Sequence, residues 1–139
     1  MDSCHFCSIV DGSVEAEVVL RNQFVSAFLD WKPINPGHVL VIPHVHEPDF
    51  EELSPEIIGH LMQAVRSLSK VLKRIYAPRK IGLAVAGFDV PHTHMHIIPM
   101  HDYHDLTSKR LLDGSLKRAD PDELIANALT IQRELGINS

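Results

Sequence analysis

At 139 residues, with 45% hydrophobic and 22% charged side chains, the chain has the size and composition of one globular domain, which excludes a disordered segment. Lys and Arg number 13 against 18 Asp and Glu, a formal charge of -5, which excludes a surface built to track a nucleic-acid backbone. Apolar runs such as Val39–Ile42 are far too short for a membrane span, and the opening Met1-Asp2-Ser3-Cys4-His5 is polar, so we expect an unexported, cytoplasmic, soluble protein of one domain over residues 1–139.

In chain order, a short knuckle at Cys4–Gly12 leads to a strand over Glu17–Arg21 and a second over Phe24–Asp30, with Arg21-Asn22-Gln23 as the turn. Pro33, Pro36 and Gly37 break the chain before a third strand, His38–Ile42, which Pro43 ends. A long helix follows, with Ser54 as N-cap, Pro55 at the first helical position and Glu56 complementing the dipole. Its apolar positions Ile57, Ile58, Leu61, Val65, Leu68, Leu72 and Ile75 fall on one face, and Pro78 closes it. A fourth strand is expected over Ile81–Ala86 and a fifth over His92–Met100. A polar stretch, Asp102–Asp120, precedes a terminal helix over Pro121–Leu135 that Gly136 stops. This order predicts an α+β fold: an antiparallel sheet of about five strands, one long central helix and a C-terminal helix.

The composition holds 10 His beside 2 Cys. His92, His94 and His96 alternate with Thr93, Met95 and Ile97, so on a strand the three imidazoles share one face, while Met95 and Ile97 face the core. Three desolvated imidazoles in a row add little apolar volume and each needs a partner. Two functions fit: a metal held by imidazoles, or phosphate chemistry with one imidazole as nucleophile and its neighbours as proton donors. Cys4 and Cys7 are spaced as two corners of a tetrahedral metal site that two His would complete, His44 and His46 being nearest in type. A redox pair and two inert thiols are the alternatives.

The run His92-Thr93-His94-Met95-His96-Ile97-Ile98 resembles the signature of the histidine triad family of nucleotide hydrolases and transferases. Cys4-His5-Phe6-Cys7-Ser8-Ile9-Val10, Ala27-Phe28-Leu29-Asp30 and Pro36-Gly37-His38-Val39-Leu40-Val41-Ile42-Pro43 are similar to its opening, second and third strands. The likeness covers residues 4–100 and leaves 101–139 as a C-terminal extension. It implies that His94 is the nucleophile toward the α-phosphorus of a nucleotide, through a nucleotidyl-imidazole that water opens, with His96 and His38 as the supporting pair. It implies that Asp30 accepts the ribose hydroxyls, that Phe6, Ile9, Phe28 and Trp31 line the base pocket, and that the product is AMP-like. It also implies a structural zinc on Cys4, Cys7, His46 and His92, and a homodimer. Many members carry Gln and Ser donors ahead of the first triad His, where this chain has Phe88 and Asp89 beside the substrate. The alternatives are a non-catalytic nucleotide-sensing or partner-binding module, and a metal-dependent enzyme with an open imidazole site. His101 and His104 are expected in solvent, and His5 and His60 are expected to be incidental.

Overall fold

The computed structural model describes residues 4–107 and 115–138, so the middle of the polar stretch expected at Asp102–Asp120 lies outside the described residues. Five strands, β1 (Val18–Arg21), β2 (Val25–Leu29), β3 (Val39–Pro43), β4 (Lys80–Ala84) and β5 (Met95–Met100), form one sheet in the order β1-β2-β3-β5-β4. Every neighbouring pair is antiparallel. The α+β architecture is therefore as expected.

Helix α1 (His5–Val10) covers one face of the sheet, and α2 (Pro55–Tyr76) with α3 (Pro121–Asn138) covers the other. Strand alternation decides which residue goes where. Val25, Ala27 and Leu29 of β2, Val39 and Val41 of β3 and Ile97 of β5 face α2, meeting Leu61, Val65, Leu68 and Leu72. Phe28, Leu40 and Ile42 take the opposite parity and pack on Phe6 and Ile9 of α1. Helix α2 begins as its sequence dictates: the Ser54 hydroxyl accepts the Ile57 amide at 3.2 Å and Pro55 sits in the first turn. It ends with Ala77 in the left-handed region, φ 47°. Gly37 fixes the chain just before His38: its φ is +87°, and an added Cβ would stand 2.5 Å from the Tyr76 ring.

Three expectations change. The N-terminal knuckle is a helical turn and a half, capped by the Cys4 sulfur accepting the Cys7 amide at 3.4 Å. The terminal helix runs through Gly136 to Asn138. The fifth strand starts at Met95, so His92 and His94 precede the ladder. There the backbone is held by a crossing segment instead: the Thr93 amide and hydroxyl both donate to the Glu47 carbonyl at 2.7 Å. The imidazoles of His92 and His94 still share a side there, both meeting the Phe6 ring, while Met95 and Ile97 of the strand lie on the core side.

Candidate functional site

On the α1 side of the sheet lies a cleft of about 530 Å³, within the range that holds small-molecule ligands. Its apolar wall is Phe6 and Ile9 from α1, Phe28 from β2 and Leu40 from β3; Trp31, half exposed, stands at its edge. His94, His96, Asp30 and Asp89 supply its polar end.

His94 is 1% exposed, and the edge of the Phe6 ring meets it at 4.9 Å between centroids. Nδ1 of His94 donates to the carbonyl of His92 at 2.8 Å. In the neutral ring the lone pair is therefore on Nε2, on the side of Asp89, whose Oδ1 is 3.6 Å away. That carbonyl is available because residue 92 is outside the β-ladder.

His38 and His96 form a second constellation. The Ile34 amide donates to Nδ1 of His38 at 3.0 Å, which leaves the ring proton on Nε2, 2.9 Å from Nδ1 of His96. His38 thus donates to His96, and His96 keeps its own proton on Nε2 as a donor. Burial first, and the neighbouring imidazole second, push His38 down to about 3 and His96 to about 4, so both are neutral near pH 7. Asp30 is pushed the other way, up to about 6, chiefly by burial, with Asp89 adding to the rise. Asp30, His38 and His96 lie close enough to hold a metal ion. Hydrogen bonding decides against it: Nδ1 of His38 faces an amide N–H and Nε2 carries the proton, so this ring has no lone pair to offer there. His38 and His96 thus form a hydrogen-bonded chain whose direction is fixed by one backbone amide.

A separate cluster can hold a metal. The Cys4 sulfur is 3.4 Å from Nδ1 of His92, and the Cys7 sulfur is 3.5 Å from that atom and 3.3 Å from Nδ1 of His46. All four donor atoms lie within 4.8 Å of one another. A tetrahedral ion bonded at about 2.3 Å to sulfur and 2.1 Å to nitrogen separates adjacent ligands by roughly 3.5 Å, so these residues fit one. Nε2 of His92 gives its proton to the Pro43 carbonyl at 2.8 Å, which leaves Nδ1 free as a ligand. Burial and the adjacent Cys4 push the Cys7 thiol up to about 11; a divalent cation is what would hold both sulfurs as thiolates. The choice between His44 and His46 falls to His46, because Nε2 of His44 bonds the Ser26 hydroxyl at 2.8 Å instead.

Most residues expected at the site converge on these two centres, and Phe88 is the exception. Its side chain is fully exposed and forms no part of the cleft wall, because the loop after Gly87 (φ +87°) turns it to solvent. His101 and His104 are exposed as expected, and His60 stacks on Phe24 at 3.8 Å, away from the cleft. His5 is not incidental: it lines the cleft and its ring stacks on Trp31 at 5.8 Å. Arg118 also lines the cleft, its guanidinium 4.5 Å over the Trp31 ring, while the Ala119 amide donates to the Trp31 carbonyl at 2.7 Å. Nothing in the local sequence around Arg118 signals this. The segment leads into α3, which packs against α2 and β1.

The profile of the HIT domain family matches residues 11–103, two thirds of the chain, and the protein belongs to that family. An uncharacterized HIT-like protein of Methanocaldococcus jannaschii is 35% identical over 88% of this chain and 95% of its own length. The asymmetrical bis(5'-nucleosyl)-tetraphosphatase of Schizosaccharomyces pombe is 36% identical over 62% of this chain and 50% of its own length. An adenylylsulfatase of Arabidopsis thaliana is 30% identical over 84% of this chain and 62% of its own length. Among solved structures, a hypothetical histidine triad nucleotide-binding protein of Sulfolobus tokodaii superimposes with a TM-score of 0.80 at 25% identity, over 96% of this chain and 93% of that one. A zinc-bound histidine triad protein of Mycobacterium smegmatis gives 0.78 at 24% identity, over 98% and 95%, and shares the fold. No helix among the described residues is long and apolar enough to cross a membrane.

Proposed function

We propose that the protein is a nucleotidyl hydrolase or transferase that attacks the α-phosphate of an AMP-like nucleotide substrate through a covalent nucleotidyl-histidine on His94. The observation that carries this reading is the hydrogen bond from Nδ1 of His94 to the His92 carbonyl, which leaves an Nε2 lone pair at the polar end of a nucleotide-sized cleft. Nε2 forms a bond to phosphorus while the bond to the leaving group breaks and its electron pair departs with that group. Water then adds its oxygen to phosphorus, the pair of the P–N bond returns to Nε2, and the proton of water ends on the leaving group or in solvent. His96, held as a donor by His38, meets the charge that develops on the phosphoryl oxygens. Asp30 accepts the ribose hydroxyls, and Phe6, Ile9, Phe28 and Trp31 surround the base. The names of two relatives, a bis(5'-nucleosyl)-tetraphosphatase and an adenylylsulfatase, fit this reading.

Cys4, Cys7, His46 and His92 would hold a structural zinc. Four protein donors fill a tetrahedral shell and leave no position for substrate, so its contribution is to fasten α1 to the segment carrying His92. A homodimer belongs to the same reading, supported by the edge strand β4 with Leu83 exposed.

Intact-protein mass spectrometry after rapid mixing with adenosine phosphoramidate, and separately with a diadenosine polyphosphate, tests the mechanism. The expected result is a transient adduct of one nucleotidyl group in wild type that is missing in His94→Ala. Neither adduct nor released nucleotide from either substrate would favour a binding module instead.

A further inference from the structure

Asp89 stands where the proposed reaction needs space. Its Oδ1 is 3.6 Å from Nε2 of His94, the atom proposed to attack phosphorus. Among the described residues its hydrogen bond is local: the Val90 amide donates to the same oxygen at 3.0 Å. The Asp89 side chain is 78% exposed whereas His94 is 1% exposed, so the carboxylate lies on the open side of the nitrogen. A phosphorus approaching Nε2 for in-line attack enters from there, at about 3 to 3.5 Å. The atom that leaves lies farther out along the same line, roughly 5 Å from Nε2. A carboxylate on this open side lies beside the path along which the leaving group departs.

Among the charged groups lining the cleft, Glu15, Glu17 and Asp30 have the same sign, the charge of Lys32 acts on Asp30, and the Arg118 guanidinium lies over Trp31, while His38 and His96 are neutral. We infer that Asp89 sorts substrates by the charge of the leaving group, favouring a cationic one and disfavouring an anionic one such as a polyphosphate. This inference rests on the proposed attack by His94. At the high effective dielectric of an exposed site, a unit charge about 6 Å away changes a rate by roughly three- to ten-fold. Between a cationic and an anionic leaving group the preference is then about ten- to one-hundred-fold.

The test uses three aryl esters of adenosine monophosphate that differ only in a ring substituent: aminomethyl, hydroxymethyl or carboxymethyl. A phenolate leaves without needing a proton, so charge is the main variable. The kcat/KM ratio of the aminomethyl to the carboxymethyl ester is measured in wild type, Asp89→Asn and Asp89→Glu. Asn keeps an oxygen for the Val90 amide, so the loop contact is preserved in the uncharged variant. The expected result is a ratio of ten or more in wild type and Asp89→Glu, collapsing toward one in Asp89→Asn and narrowing with added salt. A wild-type ratio near one, or an Asp89→Asn variant in which all three esters change by the same factor, would overturn the inference and leave the reaction at His94 standing. Failure of wild type to cleave even the hydroxymethyl ester, with no adduct on His94, would overturn both.

Discussion

Replacing His38 by Asn removes one ionisable group from the interior and changes how stability responds to acid. In the unfolded chain a histidine takes up its proton near pH 6.5, while in the fold burial holds His38 down to about 3 and His96 to about 4. Between those limits the unfolded state binds more protons, so stability falls as pH falls through this window. Each of the two rings costs about 2 kcal/mol at pH 5 relative to pH 8. Asp30 works in the opposite sense. Its folded value of about 6 lies above the unfolded one, so it binds a proton in the folded state first and returns about 1.4 kcal/mol at pH 5. The net loss for the three groups is roughly 2.5 kcal/mol. In His38→Asn the amide oxygen can still accept the Ile34 amide, and the loss shrinks by about 2 kcal/mol. Urea unfolding followed by circular dichroism at pH 8 and pH 5 reads this directly, as about 1 M less shift in midpoint for the variant at a slope near 2 kcal/mol/M. Metal loss at low pH affects both proteins alike and cancels in the difference. Parallel midpoint shifts in the two proteins would refute a His38 that is neutral in the fold.

Three further outcomes follow from the same geometry. Cys4→Ser, or stripping with a chelator, is expected to lower the melting temperature by several degrees and to release one divalent ion per chain by elemental analysis; an unchanged melting curve would argue against a filled four-donor site. The dissociation constant for AMP is expected to rise as pH drops through about 6, where Asp30 loses its charge, and isothermal titration should find this dependence flattened in Asp30→Asn. Gly37→Ala should cost 2 kcal/mol or more, because it adds a left-handed Cβ against the Tyr76 ring; a loss under 0.5 kcal/mol in urea unfolding would mean the turn yields freely.

Much of this protein is determined locally and can be read from its sequence. Ser54-Pro55 and the three- and four-residue spacing from Ile57 to Ile75 suffice to start α2 and orient it, because capping and amphipathicity involve only near neighbours. The alternation of His92, His94 and His96 with Thr93, Met95 and Ile97 places the imidazoles together for the same reason: strand parity is a property of consecutive residues. What depended on tertiary structure is everything set by partners distant in sequence. Glu47 holds Thr93 and keeps His92 out of the ladder, which frees the carbonyl that orients His94. The Ile34 amide chooses the tautomer of His38 and so rules out a metal on Asp30, His38 and His96. His44 and His46 differ by two positions on the chain, and the fold sets the first against the Ser26 hydroxyl and the second, as the resemblance implied, against the Cys7 sulfur. Phe88 goes against the expectation, turned to solvent by the loop after Gly87, and Arg118, for which the sequence carries no expectation, is carried onto Trp31 by the segment leading into α3. Local patterning settles which residue types share a face; which nitrogen carries a proton, and which side chain meets the cleft, is settled by backbone groups that folding brings from elsewhere in the chain.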